Sequence, residues 1–256
     1  MKYYIDKLPF SIDKGHPFDM DQDGVLMSKI PYTQEFNYHA TAIASYVIKT
    51  GDDANLEWLI ENMDADGSIY HAFVFPFYPM ELGWVGGLAQ GLTASALARS
   101  GERVLAKLAC KSLEVNCMQL GRIHEYPGVE ILNGWIYALF GLLDSGLDML
   151  FHDSCAALAD RLHLYDMGYW SLYGLYNNYP ATEFYHRIHV NQLLKLSEIT
   201  ENKIFSKYAI KWQNNACRRR AHLTKNYRVI RKNGVLGTYN KYKQMKEWKN
   251  EDSIVV

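Results

Sequence analysis

The feature that most constrains this chain is a helical hairpin that recurs four times. Apolar and small residues at helical spacing begin near Asn37, stop at Gly51 and resume after Asp52. That is the pattern of two antiparallel helices joined by a tight turn, with glycine ending the first and aspartate capping the second. The pattern returns over 84–100 and 102–118, broken at Gly101. It returns again over 133–145 and 148–164, broken at Gly146, and over 184–199 and 202–220, with the break at Thr200. Hairpins starting near 37, 84, 133 and 184 are spaced by 47, 49 and 51 residues, a period typical of α-helical arrays.

Between the hairpins lie long aromatic connectors, Ser68–Gly83, Leu120–Leu132 and Met167–Phe184. Antiparallel pairing puts all of them at one end of the molecule and the tight turns at the other. Such long connectors fit an α/α toroid with functional loops better than a superhelical solenoid with short linkers. The first helix of each hairpin is also the more apolar, as expected of an inner ring within outer helices. The expected fold is therefore all-α: an α/α barrel-like, incomplete toroid of about four helical hairpins. Asp23-Gly24 between short apolar runs predicts a short N-terminal β-hairpin in front of it. The expected organisation is an extended β segment over 1–35, a helical domain over 36–220 and a basic tail over 221–256.

Charge divides the same way. The net charge is −1, yet residues from Arg218 onward sum to +8 and the preceding 217 to −9. The tail is expected to be a disordered charged end, a helix docking on a membrane-bound polymer machine, or a guide for an anionic chain. The N-terminus lacks the apolar run of a secretory signal, and the most apolar stretch, Ile131–Leu143, is too short to span a bilayer. Cys110, Cys117, Cys155 and Cys217 form no Cys-x-x-Cys pair; reduced, buried thiols in a cytoplasmic protein are the expectation.

Three local features could carry chemistry. Glu125-Tyr126-Pro127-Gly128 can set an acid and a base on one rigid loop, because burial raises a carboxyl pKa toward neutrality; a solvated turn is the plainer alternative. His186 and His189, three apart on a helix, lack a third metal ligand. With Asn191 and Gln192, His189 is better read as bonding neighbouring loops. Asp19, Asp21, Asp23 and Gly24 imitate the start of a calcium loop, but its twelfth position is Ile30, so the motif fails. The nineteen tyrosines and six tryptophans exceed core needs; connector aromatics suit sugar rings or a protein interface.

Four motifs in order carry a family resemblance: Trp84-Val85-Gly86-Gly87-Leu88-Ala89-Gln90-Gly91, Glu125-Tyr126-Pro127, Leu132-Asn133-Gly134-Trp135 with the helix after it, and Tyr185-His186-Arg187-Ile188-His189-Val190-Asn191-Gln192-Leu193. Together, over roughly Val25 to Arg218, they resemble the helical C-terminal domain of D-glucuronyl C5-epimerases. The resemblance implies an isomerase that inverts C5 of a uronic acid within a heparosan-like polymer, without metal or organic cofactor. It implies Glu125, Tyr185 and Tyr126 as catalytic groups, with Tyr173 a further cleft tyrosine. Substrate contacts are expected from Tyr173, His186, Arg187, Gln90, Trp84, Tyr38 and Asn133, with His186 or Arg187 the nearest cation to lower a tyrosine pKa. The family's Asp-Leu-Arg-His run is replaced here by Gly174-Leu175-Tyr176-Asn177, so its arginine is missing. The animal enzymes carry a large N-terminal β-domain where this sequence has about 35 residues, so either a helical core suffices or a partner supplies the missing wall. The expected partner is an anionic uronate-containing polysaccharide and not nucleic acid, with room for a homodimer and for peripheral association with membrane-bound polymer machinery. The alternatives are a uronate lyase and a non-catalytic polysaccharide-binding or scaffold subunit.

Overall fold

The computed structural model describes residues 18–30, 35–75, 77–176 and 178–213. The expectations for the basic tail, for Cys217 and for the first seventeen residues lie outside them. The described chain opens with a three-stranded antiparallel sheet, β1 (Phe18–Met20), β2 (Leu26–Lys29) and β3 (Phe36–Tyr38), in the order β1-β2-β3. The hairpin predicted at Asp23-Gly24 is present, with Gly24 at φ 82° and Phe18 opposite Ser28. The third strand was not expected: Asn37 and Tyr38 pair with Ser28 and Met27 rather than starting a helix.

Eight α-helices follow among the described residues. They are α1 (Ala40–Thr50), α2 (Asp53–Glu61), α3 (Gly87–Arg99), α4 (Arg103–Cys117), α5 (Leu132–Asp144), α6 (Asp148–Arg161), α7 (Glu183–Thr200) and α8 (Lys203–Trp212). The punctuation acts as the sequence suggests. Gly51 ends α1 in the left-handed region at φ 71°, and the Asp52 carboxylate caps α2 by accepting from Asn55 N. Asn55, fully buried, accepts from Leu26 N at 2.9 Å and donates to Gly24 O at 3.0 Å, which fixes the sheet to α2.

Each odd-numbered helix packs on the even-numbered one after it, and the odd-numbered helices pack side by side in the order α1-α3-α5-α7. This makes an inner row and an outer row. Residues 132–142 of α5 are buried all round, as are ten of the thirteen residues of α3. Helices α3 and α5 touch backbone to backbone: a Cβ on Gly91 would stand 2.3 Å from Ala138 Cα, and one on Gly141 would stand 2.1 Å from Gly91 O. No larger residue fits without parting the pair. This neighbour order is common to a toroid and a superhelical array, so what stands is a two-layer array of four hairpins. Cys110, Cys117 and Cys155 are free and buried, and burial pushes their thiols up to about 11 or 12. No described helix is long and apolar enough to cross a membrane.

Candidate active site

The tight turns join α1 to α2, α3 to α4, α5 to α6 and α7 to α8. By topology, the three long connectors share the opposite end. They are stitched together by main-chain bonds. Gly87 N, at the start of α3, donates to His124 O at 3.1 Å; Leu132 N donates to Tyr173 O at 3.0 Å, and Leu175 N to Glu130 O at 3.0 Å. The second connector contains a two-residue ribbon, β4 (Met118–Gln119) against β5 (Arg122–Ile123). It then turns sharply at Tyr126-Pro127-Gly128-Val129. Val129 N donates to Tyr126 O at 2.8 Å and Glu125 N to Val129 O at 3.0 Å, with Gly128 at φ 70°. Proline followed by a positive-φ glycine is the chemistry of a type II turn, and it holds Glu125 on a stiff frame.

Glu125 is buried, 4% exposed. Its carboxylate lies on Gly134, in the first turn of α5: a Cβ there would stand 2.0 Å from Oε2. Oε2 has no hydrogen-bond partner among the described residues. Burial pushes the carboxyl up to about 7, and a hydrogen bond from the Tyr126 hydroxyl offsets part of that rise. The first turn of α5, against which the carboxylate lies, carries the positive end of that helix's dipole. Glu125 is thus half ionised near neutrality, where a general base works best.

Three phenols feel its charge, and a fourth stacks on one of them. Tyr173 and Tyr185 are half-buried, with ring centroids 4.7 Å apart and a hydrogen bond between their hydroxyls. Tyr78 stacks on Tyr126 at 4.5 Å. Burial raises Tyr126, Tyr173 and Tyr185, and the Glu125 charge raises each of them further. The connectors therefore bring Glu125, Tyr126, Tyr173 and Tyr185 into one electrostatic unit, although Glu125 and Tyr185 are sixty positions apart in the chain. Tyr78 belongs to the unit as well; in the sequence it is one connector aromatic among many.

The remaining expected contacts lie in varied places. Trp84 backs the site: it donates to Phe73 O at 2.6 Å, stacks on His71 at 3.9 Å and sets its ring 5.4 Å from Tyr126. Asn133 is buried beside Gly134, and its carbonyl accepts from Gln192 Nε2 at 3.3 Å. Gln90 is fully buried and serves the frame, accepting from Ile69 N at 3.0 Å and donating to Gly67 O at 2.7 Å. Tyr38 is engaged by the N-terminal sheet, donating to Asp21 Oδ2 at 2.7 Å and packing 5.4 Å from Trp58. Asp21 itself accepts from Val25 N and Asp23 N, so the calcium-like acidic run is a hydrogen-bonded turn.

His186 is placed differently from the cation expected beside a tyrosine. It stacks on Trp170 at 3.5 Å, and its Nε2–H donates to Trp212 O at 2.9 Å. Nδ1 then accepts from Ser171 Oγ at 2.8 Å. Since Ser171 Oγ donates there, the 2.8 Å bond to His189 Nδ1 has His189 as donor. Both rings are neutral in this chain of bonds, and burial lowers both pKa values. Arg187, on the exposed side of α7, is turned away from its buried neighbours His186 and Ile188.

Similarity to known proteins runs through the same segment. Residues 116–214, which include Glu125, Tyr126, Tyr173 and Tyr185, match the family described as D-glucuronyl C5-epimerase C-terminus. A D-glucuronyl C5-epimerase of Caenorhabditis elegans is 26% identical over 66% of this chain and 35% of its own. Uncharacterized protein MJ1128 of Methanocaldococcus jannaschii is 29% identical over 55% of this chain and 55% of its own. The chain thus spans about a third and about half of the length of these two relatives. The segment that holds the buried glutamate and its phenols is thus similar to the C-terminal part of D-glucuronyl C5-epimerases.

Proposed function

We propose that this protein is an isomerase that epimerises C5 of uronic acid residues in a polysaccharide, D-glucuronate to L-iduronate in a heparosan-like chain. The observation that carries the reading is a buried carboxyl held near pKa 7 in electrostatic contact with a phenol, Tyr185, that is kept protonated. Glu125 takes the C5 proton, and the electron pair moves into the substrate carboxylate as an enediolate. Tyr185 gives its hydroxyl proton to the opposite face of C5, which inverts the centre. The proton on Glu125 then returns to the tyrosinate through solvent. Each ionisation opposes the other, so the pair carries one negative charge at a time, as a two-base exchange requires. Tyr126 holds Glu125 in place and tempers its pKa.

The test is incubation of heparosan and related uronate polymers with the protein in deuterated water. Deuterium at C5 in intact chains supports the reading, whereas an unsaturated, ultraviolet-absorbing end would make the protein a lyase. Binding without exchange would make it a polysaccharide-binding subunit. Because Glu125 must be ionised to act, kcat/KM should rise with pH and level off above about 7.

A further inference from the structure

Resting on that reading, Tyr185 gives up its hydroxyl proton as C5 inverts, so its oxygen gains negative charge at that moment. The hydrogen bond from Tyr173, which already lowers the pKa of Tyr185, meets that charge and strengthens in the transition state. The bond forms only if two separate segments, the third connector and α7, keep the rings at their 4.7 Å spacing. The main chain of Tyr173 is bonded to Tyr179 and Leu132, neither of which lies on α7.

Beside that contact the same two segments are joined a second time. Ser171, fully buried, sets its Oγ 2.8 Å from His186 Nδ1 and 2.8 Å from His189 Nδ1. It donates to the first and accepts from the second, because the His186 Nε2–H is committed to Trp212 O at 2.9 Å. Its backbone N–H lies 3.3 Å from the same His186 nitrogen, and its carbonyl accepts from Ala181 N at 2.9 Å. Trp170 covers the junction, stacked on His186 at 3.5 Å and donating to Ala181 O at 2.9 Å.

The spacings of the two links agree. Ser171 and Tyr173 stand two apart on the connector, in a run where Ser171, Leu172 and Gly174 form β-bridges; two extended residues advance about 6.6 Å. His189 and Tyr185 stand four apart on one face of α7, where four residues advance about 6 Å. The Ser171–His189 bond and the Tyr173–Tyr185 contact are therefore two matched rungs between an extended segment and a helix. A slip of the connector along α7 would break both.

We propose that Ser171 is a positioning residue of this site, its hydroxyl tying the third connector to His186 and His189 so that Tyr173 stays against Tyr185. A hydroxyl suits the place because one small group both donates and accepts, which joins two neutral imidazoles at once. Alanine there would take from the buried His189 Nδ1–H its acceptor.

The experiment compares C5 deuterium exchange by the full chain as wild type, Ser171→Ala, Tyr173→Phe and the double variant, each corrected for folded protein by circular dichroism. Ser171→Ala should lower kcat by about 10²-fold, the scale of a misplacement of about 1 Å, with KM within about twofold of wild type. Because the hydroxyl acts through Tyr173, adding Ser171→Ala to Tyr173→Phe should cost no more than about threefold. A Ser171→Ala rate within about twofold of wild type overturns the proposal. So do losses that multiply in the double variant, which is what a merely structural role gives. Should Ser171→Ala not fold, His189 carries the same test. His189→Asn keeps an N–H where Nδ1 stands and should retain exchange within about threefold of wild type. His189→Gln moves that group to where Nε2 stands and should lose about 10²-fold. Equal rates in these two overturn the proposal. If wild type exchanges no uronate at all, the epimerase reading itself has failed. If wild type exchanges and Ser171→Ala matches it, only this assignment has.

Discussion

Glu125 and Glu130 stand on the same connector, both buried, and the chain treats them in opposite ways. Glu130 receives a two-pronged hold from Arg161, Nε to Oε2 at 2.9 Å and Nη2 to Oε1 at 3.0 Å, with Arg122 and His124 alongside. Glu125 receives a single phenol bond and has an oxygen with no partner among the described residues. A carboxylate placed out of water against guanidinium groups is a structural rivet. One placed out of water without them is held near its titration point. The difference teaches that burial alone does not mark a reactive acid; the distribution of cations around it does.

The most severe way to break the comparison is to remove each charge in turn. Glu125→Gln should lower C5 exchange by about 10³-fold, within the range a general base supplies, while Glu130→Gln should leave the rate per folded molecule within a few-fold of wild type. Equal losses in the two variants would mean that Glu125 is not the base.

The next effect is on stability and pH. Glu125 moves from 4.5 to about 7 on folding, so the native state binds more protons across that interval. Its stabilisation is complete below pH 4.5 and is lost as pH rises through about 7. Between pH 5 and pH 8, wild type should therefore lose about 2–3 kcal/mol relative to Glu125→Gln in denaturant unfolding. A constant gap would show that the carboxyl is not buried as described.

Arg161→Met should cost about 2 kcal/mol, less than the loss of a fully buried pair because Arg161 is partly exposed and Arg122 remains. Thermal melting would measure it, and no change would make the rivet an ornament of the surface. The smallest effect is expected from Gly134→Ala. Its Cβ would displace the Glu125 carboxylate at about 1–2 kcal/mol of overpacking, with exchange falling further than the loss of folded protein explains. Unaltered exchange would separate the helix floor from the base.

Much of the scaffold was legible because it is local. The Gly51-Asp52 turn, Gly101 and Gly146 each break the chain where the backbone takes a positive φ, and the helix limits fall within a few residues of the periodic runs. The strand at Phe36–Tyr38 was missed because its pairing to β2 is non-local and its three residues continue smoothly into the apolar spacing of α1. In the site, the Glu-Tyr-Pro-Gly run announced a stiff turn, and the resemblance pointed to Tyr173 and Tyr185. What a sequence does not encode is direction. His186 and Arg187 looked like cations near the site, yet Trp170, Ser171 and the Trp212 carbonyl claim the first and the second lies on the outer side of α7. Tyr78 does not stand out among the connector aromatics because its place beside Tyr126 arises from a stack across 48 residues.

The main-chain stitches between connectors have a consequence for how such a protein can change. Amide and carbonyl groups are the same whatever side chain they carry, so Gly87 to His124, Leu132 to Tyr173 and Leu175 to Glu130 would survive many replacements along the rim. An exposed position such as Tyr70 could be exchanged while the acid stays aligned. A site whose alignment is written in backbone can vary its rim without first losing the setting of its acid.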